Sequence, residues 1–297
     1  MFKFLSGNKP QIEDLEKYED EDAILWSAFK GKYEVHSSVI EGFELTWYDS
    51  ETEGETVVMF PGTTGRADVW HAYFLELSKN YRVLIPNYPE VNQLETFCSV
   101  LNEWMNHLTV KKATFVGQSF GGVIAQVFSE AFPEKVEKLI LLTCFANTEA
   151  VKPKTRKNYH SSLKRFINAL KDLKFESLQK TVFKQVVKGV DVAFVENKEF
   201  WKAFYGNLLL ESAPSLLKVI HEIQLDYWMG IQSEPSEWSG PVLLVEATTD
   251  SSYDREEKKA LMNRYPNAEV KKIKGSSNLS HIREKKIILD SINAFVE

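Results

Sequence analysis

The alternation of polar and apolar positions changes character along the chain. Residues 10–32 open on an acidic run, Glu13-Asp14-Leu15-Glu16-Lys17-Tyr18-Glu19-Asp20-Glu21-Asp22, that leads into the apolar Ala23-Ile24-Leu25-Trp26. This pattern predicts a surface helix docked by its end, with a partner-binding arm as the alternative. From Tyr33 short β-rich runs take over, at 33–40, 43–48 and 56–60. Small turn residues separate them, which predicts a meander.

Beyond residue 60 strands and helices alternate. Apolar runs at 81–85, 113–117 and 138–143 are interleaved with amphipathic segments at 93–107 and 120–131. Strands apolar on both faces that alternate with helices imply a parallel sheet covered on two sides, joined by right-handed crossovers. Between 146 and 238 the β-character disappears, and helices are predicted at 159–173, 175–187, 199–210 and 214–228. Such an insertion is placed to form a lid over the carboxyl ends of the strands, where open α/β sheets bind ligands. Its aromatics, among them Phe166, Phe183, Phe194, Trp201, Phe204, Tyr205, Tyr227 and Trp228, are core residues by default, a few of them lining an apolar pocket. The sheet resumes at 241–246, followed by a helix at 254–264, a strand at 269–273 and a closing helix that ends near Phe295. The expected organisation is an acidic N-terminal arm (1–32), an α/β core (33–146 and 239–297) and a helical lid (147–238).

Composition narrows the class. A hydrophobic fraction of 43% with 26% charged residues is that of a soluble globular protein. The net charge of -6 argues against nucleic acid as a partner, and the lysine-rich stretch at 151–157 reads as solvated surface. The two cysteines, Cys98 and Cys144, suggest a reducing, cytoplasmic compartment, with Cys144 a small buried hydrophobe at the end of a strand. The apolar stretch within residues 1–7 is too short for a signal peptide, and no apolar run reaches the length of a transmembrane segment. Zinc spacings, a P-loop and a dinucleotide fingerprint are missing, so neither a metal nor another cofactor is implied.

Candidate chemistry centres on Gly117-Gln118-Ser119-Phe120-Gly121. It fits G-x-S-x-G and stands between a predicted strand and a predicted helix, the context in which that motif carries a nucleophile elbow. Small flanking residues leave room for a strained turn that lifts Ser119 Oγ clear at the amino end of a helix, whose dipole favours negative charge. Phe60-Pro61-Gly62-Thr63-Thr64-Gly65 follows the third strand and supplies the second requirement, a backbone N–H aimed at an oxyanion. Thr63 and Phe120 are the candidate donors. A serine also needs a base, and the base an orienting carboxylate. In the chain order Ser, acid, His, the acid after a late strand is Asp250, with Asp254 as a substitute. His281 is the candidate base, expected at the start of the last helix with Ser280 as N-cap. On a continuous helix it would share the inward face with Ile288, Ile292 and Phe295, so a packing role stands beside the catalytic one. His36, His71, His107, His160 and His221 are poorer candidates by position.

With these residues in hand, the chain resembles the α/β-hydrolase superfamily over roughly residues 33–297. Within it the resemblance is to maspardin-like members, through 61–69, 81–89, 117–122 and Tyr265-Pro266-Asn267-Ala268. The resemblance implies an α/β-hydrolase fold with a mostly parallel central sheet, and a serine hydrolase of ester, thioester or similar acyl substrates. Most hydrolases of this kind carry a Gly-His pair directly after the last strand. Maspardin-like members carry an asparagine there, which Gly275-Ser276-Ser277-Asn278 resembles. The chain also has Asn87-Tyr88-Pro89-Glu90 where many hydrolases have Asp-x-x-Gly. The alternative reading is therefore a catalytically impaired binding or adaptor module whose partner is a protein rather than a small acyl substrate.

Overall fold

The computed structural model describes residues 12–172, 196–212, 214–249, 253–274 and 279–297. The helix expected at 175–187, Phe183, Phe194, Asp250 and Asn278 lie outside them. The strands are β1 (His36–Ile40), β2 (Phe43–Asp49), β3 (Thr56–Phe60), β4 (Arg82–Pro86), β5 (Ala113–Gln118), β6 (Val136–Leu142), β7 (Val242–Ala247) and β8 (Glu269–Ile273). Around them pack α1 (Glu21–Lys32), α2 (His71–Leu77), α3 (Leu94–His107), α4 (Phe120–Ala131) and α5 (Pro153–Asp172). The later helices are α6 (Lys198–Glu211), α7 (Pro214–Met229), α8 (Arg255–Arg264), α9 (Ser280–Arg283) and α10 (Lys285–Val296).

One sheet runs in the order β1-β2-β4-β3-β5-β6-β7-β8. β1 pairs antiparallel with β2 and β2 antiparallel with β4, whereas every pairing from β4 to β8 is parallel. The meander expected of the first three β-rich runs is thus confined to β1 and β2. β3 lies instead between β4 and β5. Its last four residues are all buried, a pattern that needs cover on both faces and a neighbour on each side.

Alternate side chains of the central strands enter two separate cores. Val58, Phe60, Phe115, Leu139, Leu141 and Leu244 point to the core covered by α3, α4, α7 and α8. Val57, Met59, Val116, Ile140, Leu142 and Leu243 point to the one covered by α1, α2, α6 and α10. At the far edge β8 exposes Lys271 and Lys272, charges that discourage strand addition.

The acidic N-terminal helix is anchored at both ends rather than by one. Asp20 caps it by accepting from Ala23 N at 3.0 Å. In the first turn Asp22 accepts from Trp201 Nε1 at 2.9 Å and from Lys285 Nζ at 3.0 Å, tying α1 to α6 and α10. In the last turn Phe29 is fully buried, its ring 4.6 Å from that of Tyr48. The closing helix also differs from expectation, because it breaks at Glu284 into α9 and α10. Leu279 O receives the N–H groups of Ile282 and Arg283, so the turn starts one residue early and Ser280 is the first helical residue, not the cap. His281 and Ile288 are both buried, but on separate helices. Among the described residues no helix is long and apolar enough to cross a membrane.

Candidate active site

β5 ends at Gln118 and α4 begins at Phe120, leaving Ser119 as the single joining residue at φ 54°, ψ −119°. A non-glycine residue at positive φ is strained, and such strain persists only where the surroundings enforce it. Here they do. Ser119 N donates to Leu142 O on β6 at 3.0 Å, while Ser119 O accepts from Gly122 N at 3.1 Å and Cys144 Sγ at 3.3 Å. A Cβ on Gly117 would collide with the carbonyl of Gly121, and one on Gly121 with the carbonyls of Phe60 and Pro61. Both motif glycines are therefore required by close backbone approach, as the sequence pattern proposes. Cys144 is no rival nucleophile, since burial pushes its thiol up to about 12.

The turn after β3 faces this elbow and is braced from β4. Tyr88 Oη donates to Pro61 O, Tyr88 N donates to Gly65 O at 2.8 Å, and Ala67 N donates to Asn87 Oδ1 at 2.8 Å. The Asn87-Tyr88 departure from Asp-x-x-Gly thus has a role of its own, as the clamp that shapes the Pro61–Gly65 turn. Among the described residues the N–H groups of Thr63 and Phe120 donate to no backbone or side-chain acceptor.

Ser119 opens into a cavity of about 590 Å³. Gly62, Thr63, Gln118 and His281 share its sheet-side wall. The opposite members come from α5 (Tyr159, Leu163, Phe166), α6 (Tyr205, Leu208, Leu209) and α7 (Leu217, His221, Gln224). A larger cleft of about 880 Å³ lies between the N-terminal segment and β2, but it does not include Ser119. The chemistry follows the smaller one.

His281 is 3% exposed and lies on the cavity wall, its ring centroid 5.7 Å from that of Trp70 and its carbonyl accepting from Tyr73 Oη at 2.8 Å. The structure thus brings Ser119, Thr63 and His281 to one cavity, with Phe120 next to the serine. Asp250 lies outside the described residues, and Asp254, its substitute, is engaged as the cap of α8. Its side chain caps α8 by accepting from the Glu257 N–H, while Glu257 Oε2 accepts from Asp254 N at 2.8 Å.

One contact has no signal in the sequence. Tyr253 Oη lies 2.6 Å from Ser119 Oγ. Its ring rests 4.3 Å from Phe145, which stacks on Trp228 of α7, itself stacked on Tyr159 of α5. An aromatic column therefore links the serine to the helical wall. The remaining histidines divide by environment. His71 is fully buried beside Trp26, Trp201 and Phe204, with Nδ1 donating to Asp68 O at 3.0 Å, and burial pushes it down to about 4. His221, set aside by sequence position, lines the cavity.

The profile of the α/β-hydrolase fold family matches residues 55–284 of the chain. Maspardin of Danio rerio is 33% identical over 95 residues, covering 31% of this chain and 30% of that protein. A 2-hydroxy-6-oxo-6-phenylhexa-2,4-dienoate hydrolase of Comamonas testosteroni is 28% identical over 112 residues, 33% of this chain and 39% of that one. The matched stretch is thus only about a third of either relative. In solved structures the whole fold recurs: a hydrolase from Pseudomonas aeruginosa PA01 superposes with a TM-score of 0.73 at 15% identity, covering 90% of this chain and 98% of that one. Ser119 stands strained between a parallel strand and a helix, and with the profile matching more than half of its residues the chain belongs to the α/β-hydrolase fold family.

Proposed function

We propose that the chain is a serine hydrolase acting on an ester, thioester or similar acyl substrate by an acyl-enzyme route. Ser119 is the nucleophile, His281 the base, Asp250 the carboxylate that orients it, and the N–H groups of Thr63 and Phe120 the oxyanion donors. The observation that carries the reading is Ser119 itself, held at φ 54° and opening into a cavity that His281 also lines. His281 takes the serine proton as Oγ attacks the acyl carbon. The two N–H groups receive the charge that develops on the carbonyl oxygen, and the imidazolium returns the proton to the leaving group. Water repeats the sequence to release the acid. Incubation with a fluorophosphonate probe tests the proposal: the account expects labelling of the wild type and none of Ser119→Ala, and equal signals from the two would refute it.

A second reading, a hydrolase-fold binding module with an impaired triad, is favoured by one contact. Ser119 Oγ bonds to Tyr253 Oη at 2.6 Å. Either hydroxyl can be the donor in this pair, and where Ser119 donates, its proton is directed at a phenol and not at an imidazole. Under this reading Ser119→Ala leaves ligand or partner binding intact and no ester is turned over.

A further inference from the structure

The wall of the Ser119 cavity carries a directional polar group that acyl transfer does not use. His221, on α7, has Nδ1 2.6 Å from Leu217 O. A carbonyl oxygen only accepts, so Nδ1 carries the proton and Nε2 of the neutral ring is an acceptor. The ring is held flat against Phe166, with centroids 4.2 Å apart and planes 28° apart, so that acceptor has a fixed direction. Burial lowers the imidazole pKa, which keeps the ring neutral near pH 7.

The charges around the cavity point the same way. Among its described lining residues Arg66 is the one formally charged side chain, and no aspartate, glutamate or lysine joins it. That guanidinium is already balanced, with Nη2 3.2 Å from Asp68 Oδ2 and 3.6 Å from Glu211 Oε2. A carboxylate entering the cavity would meet a paired cation and the lone pair of an imidazole, while losing its water. A hydroxyl would meet an acceptor. Leu163, Leu208, Leu209 and Leu217 give the same wall an apolar stretch that suits hydrocarbon, beside the uncharged Ser162, Ser212 and Gln224.

We propose that His221 Nε2 is a specificity-determining acceptor, selecting an uncharged, chiefly apolar acyl chain that bears a hydroxyl and rejecting one that bears a carboxylate. This inference rests on the Ser119 cavity being the acyl site, and it is tested by binding rather than turnover. Calorimetric titration of the Ser119→Ala protein uses methyl esters of six- to ten-carbon acids in three forms: unsubstituted, ω-hydroxy and ω-carboxylate. At one chain length or more, the hydroxy ester is expected to bind about tenfold tighter than the unsubstituted one and about 100-fold tighter than the carboxylate. The hydroxyl advantage disappears in Ser119→Ala/His221→Phe, whose ring keeps the stack on Phe166. Equal affinity for hydroxy and unsubstituted esters at every length, carboxylate binding as tight as either, or no binding at all would overturn it. Selective binding by a protein that fluorophosphonate fails to label would sink the hydrolase reading alone. Labelling without selectivity would sink this inference alone.

Discussion

At Ser119 the backbone does the holding, whereas at His281 side chains do. The serine sits at φ 54° because two glycines let the β3, β5 and α4 backbones meet within a distance no Cβ allows. The histidine sits on a one-turn helix, beside Trp70 and anchored through its carbonyl to Tyr73, partners more than 200 positions away in sequence. A feature made of consecutive residues writes itself into a short motif. One made by tertiary contacts does not, and the same contrast sets which changes should damage the protein most.

The largest expected effect separates the two regions by function. His281→Ala should lower a measured ester-hydrolysis rate by about two to four orders of magnitude, as general-base removal does. If the rate is unchanged, and Asn278→His raises it, the native histidine position is vacant and His281 only packs. Next comes Gly121→Ala, whose new methyl meets the Phe60 and Pro61 carbonyls. Urea unfolding should show a loss of about 3 kcal/mol, and an unshifted midpoint would break the claim that backbone approach makes the elbow.

The third prediction sets a packing histidine against the cavity histidine. His71 ordinarily titrates near 6.5 but is held to about 4, first by burial, with the Asp68 carbonyl and Asp22 opposing and Lys285 assisting. The unfolded chain therefore binds a proton that the folded one refuses, so stability falls as pH drops from about 6.5 to about 4. His71→Phe should remove about 2 kcal/mol of that acid-side loss in pH-dependent melts while leaving the ester rate alone. A parallel curve for the variant would contradict it. The smallest effect concerns Asp254: its replacement by alanine should cost about 1 kcal/mol as a lost cap and leave kcat unchanged. A drop of orders of magnitude in kcat would instead make it the triad acid.

Much of this was legible from residue order alone. The apolar runs at 113–117 and 138–143 announce parallel strands because both their faces are buried, and β5 and β6 bear this out. The bounds 120–131 and 269–273 match α4 and β8, where glycine, proline and charge mark the ends. The order of β3 and β4 was not legible, since strand order depends on crossovers that local periodicity does not record. Nor was Tyr253, whose approach to Ser119 depends on how the loop after β7 meets the elbow. The clamp by Asn87 and Tyr88 was visible only as a departure from a pattern, because its hydrogen bonds reach back 20 residues to Ala67 and 27 to Pro61.

Acyl transfer is the role proposed for the Ser119 cavity. A crystal structure of the protein carrying a phosphonate adduct on Ser119 tests it most directly. The account predicts the phosphoryl oxygen about 3 Å from both Thr63 N and Phe120 N, and an imidazole nitrogen of His281 about 3 Å from Ser119 Oγ, with Tyr253 displaced. An adduct oxygen turned away from both N–H groups, with His281 out of reach and Tyr253 still on the serine, would contradict it.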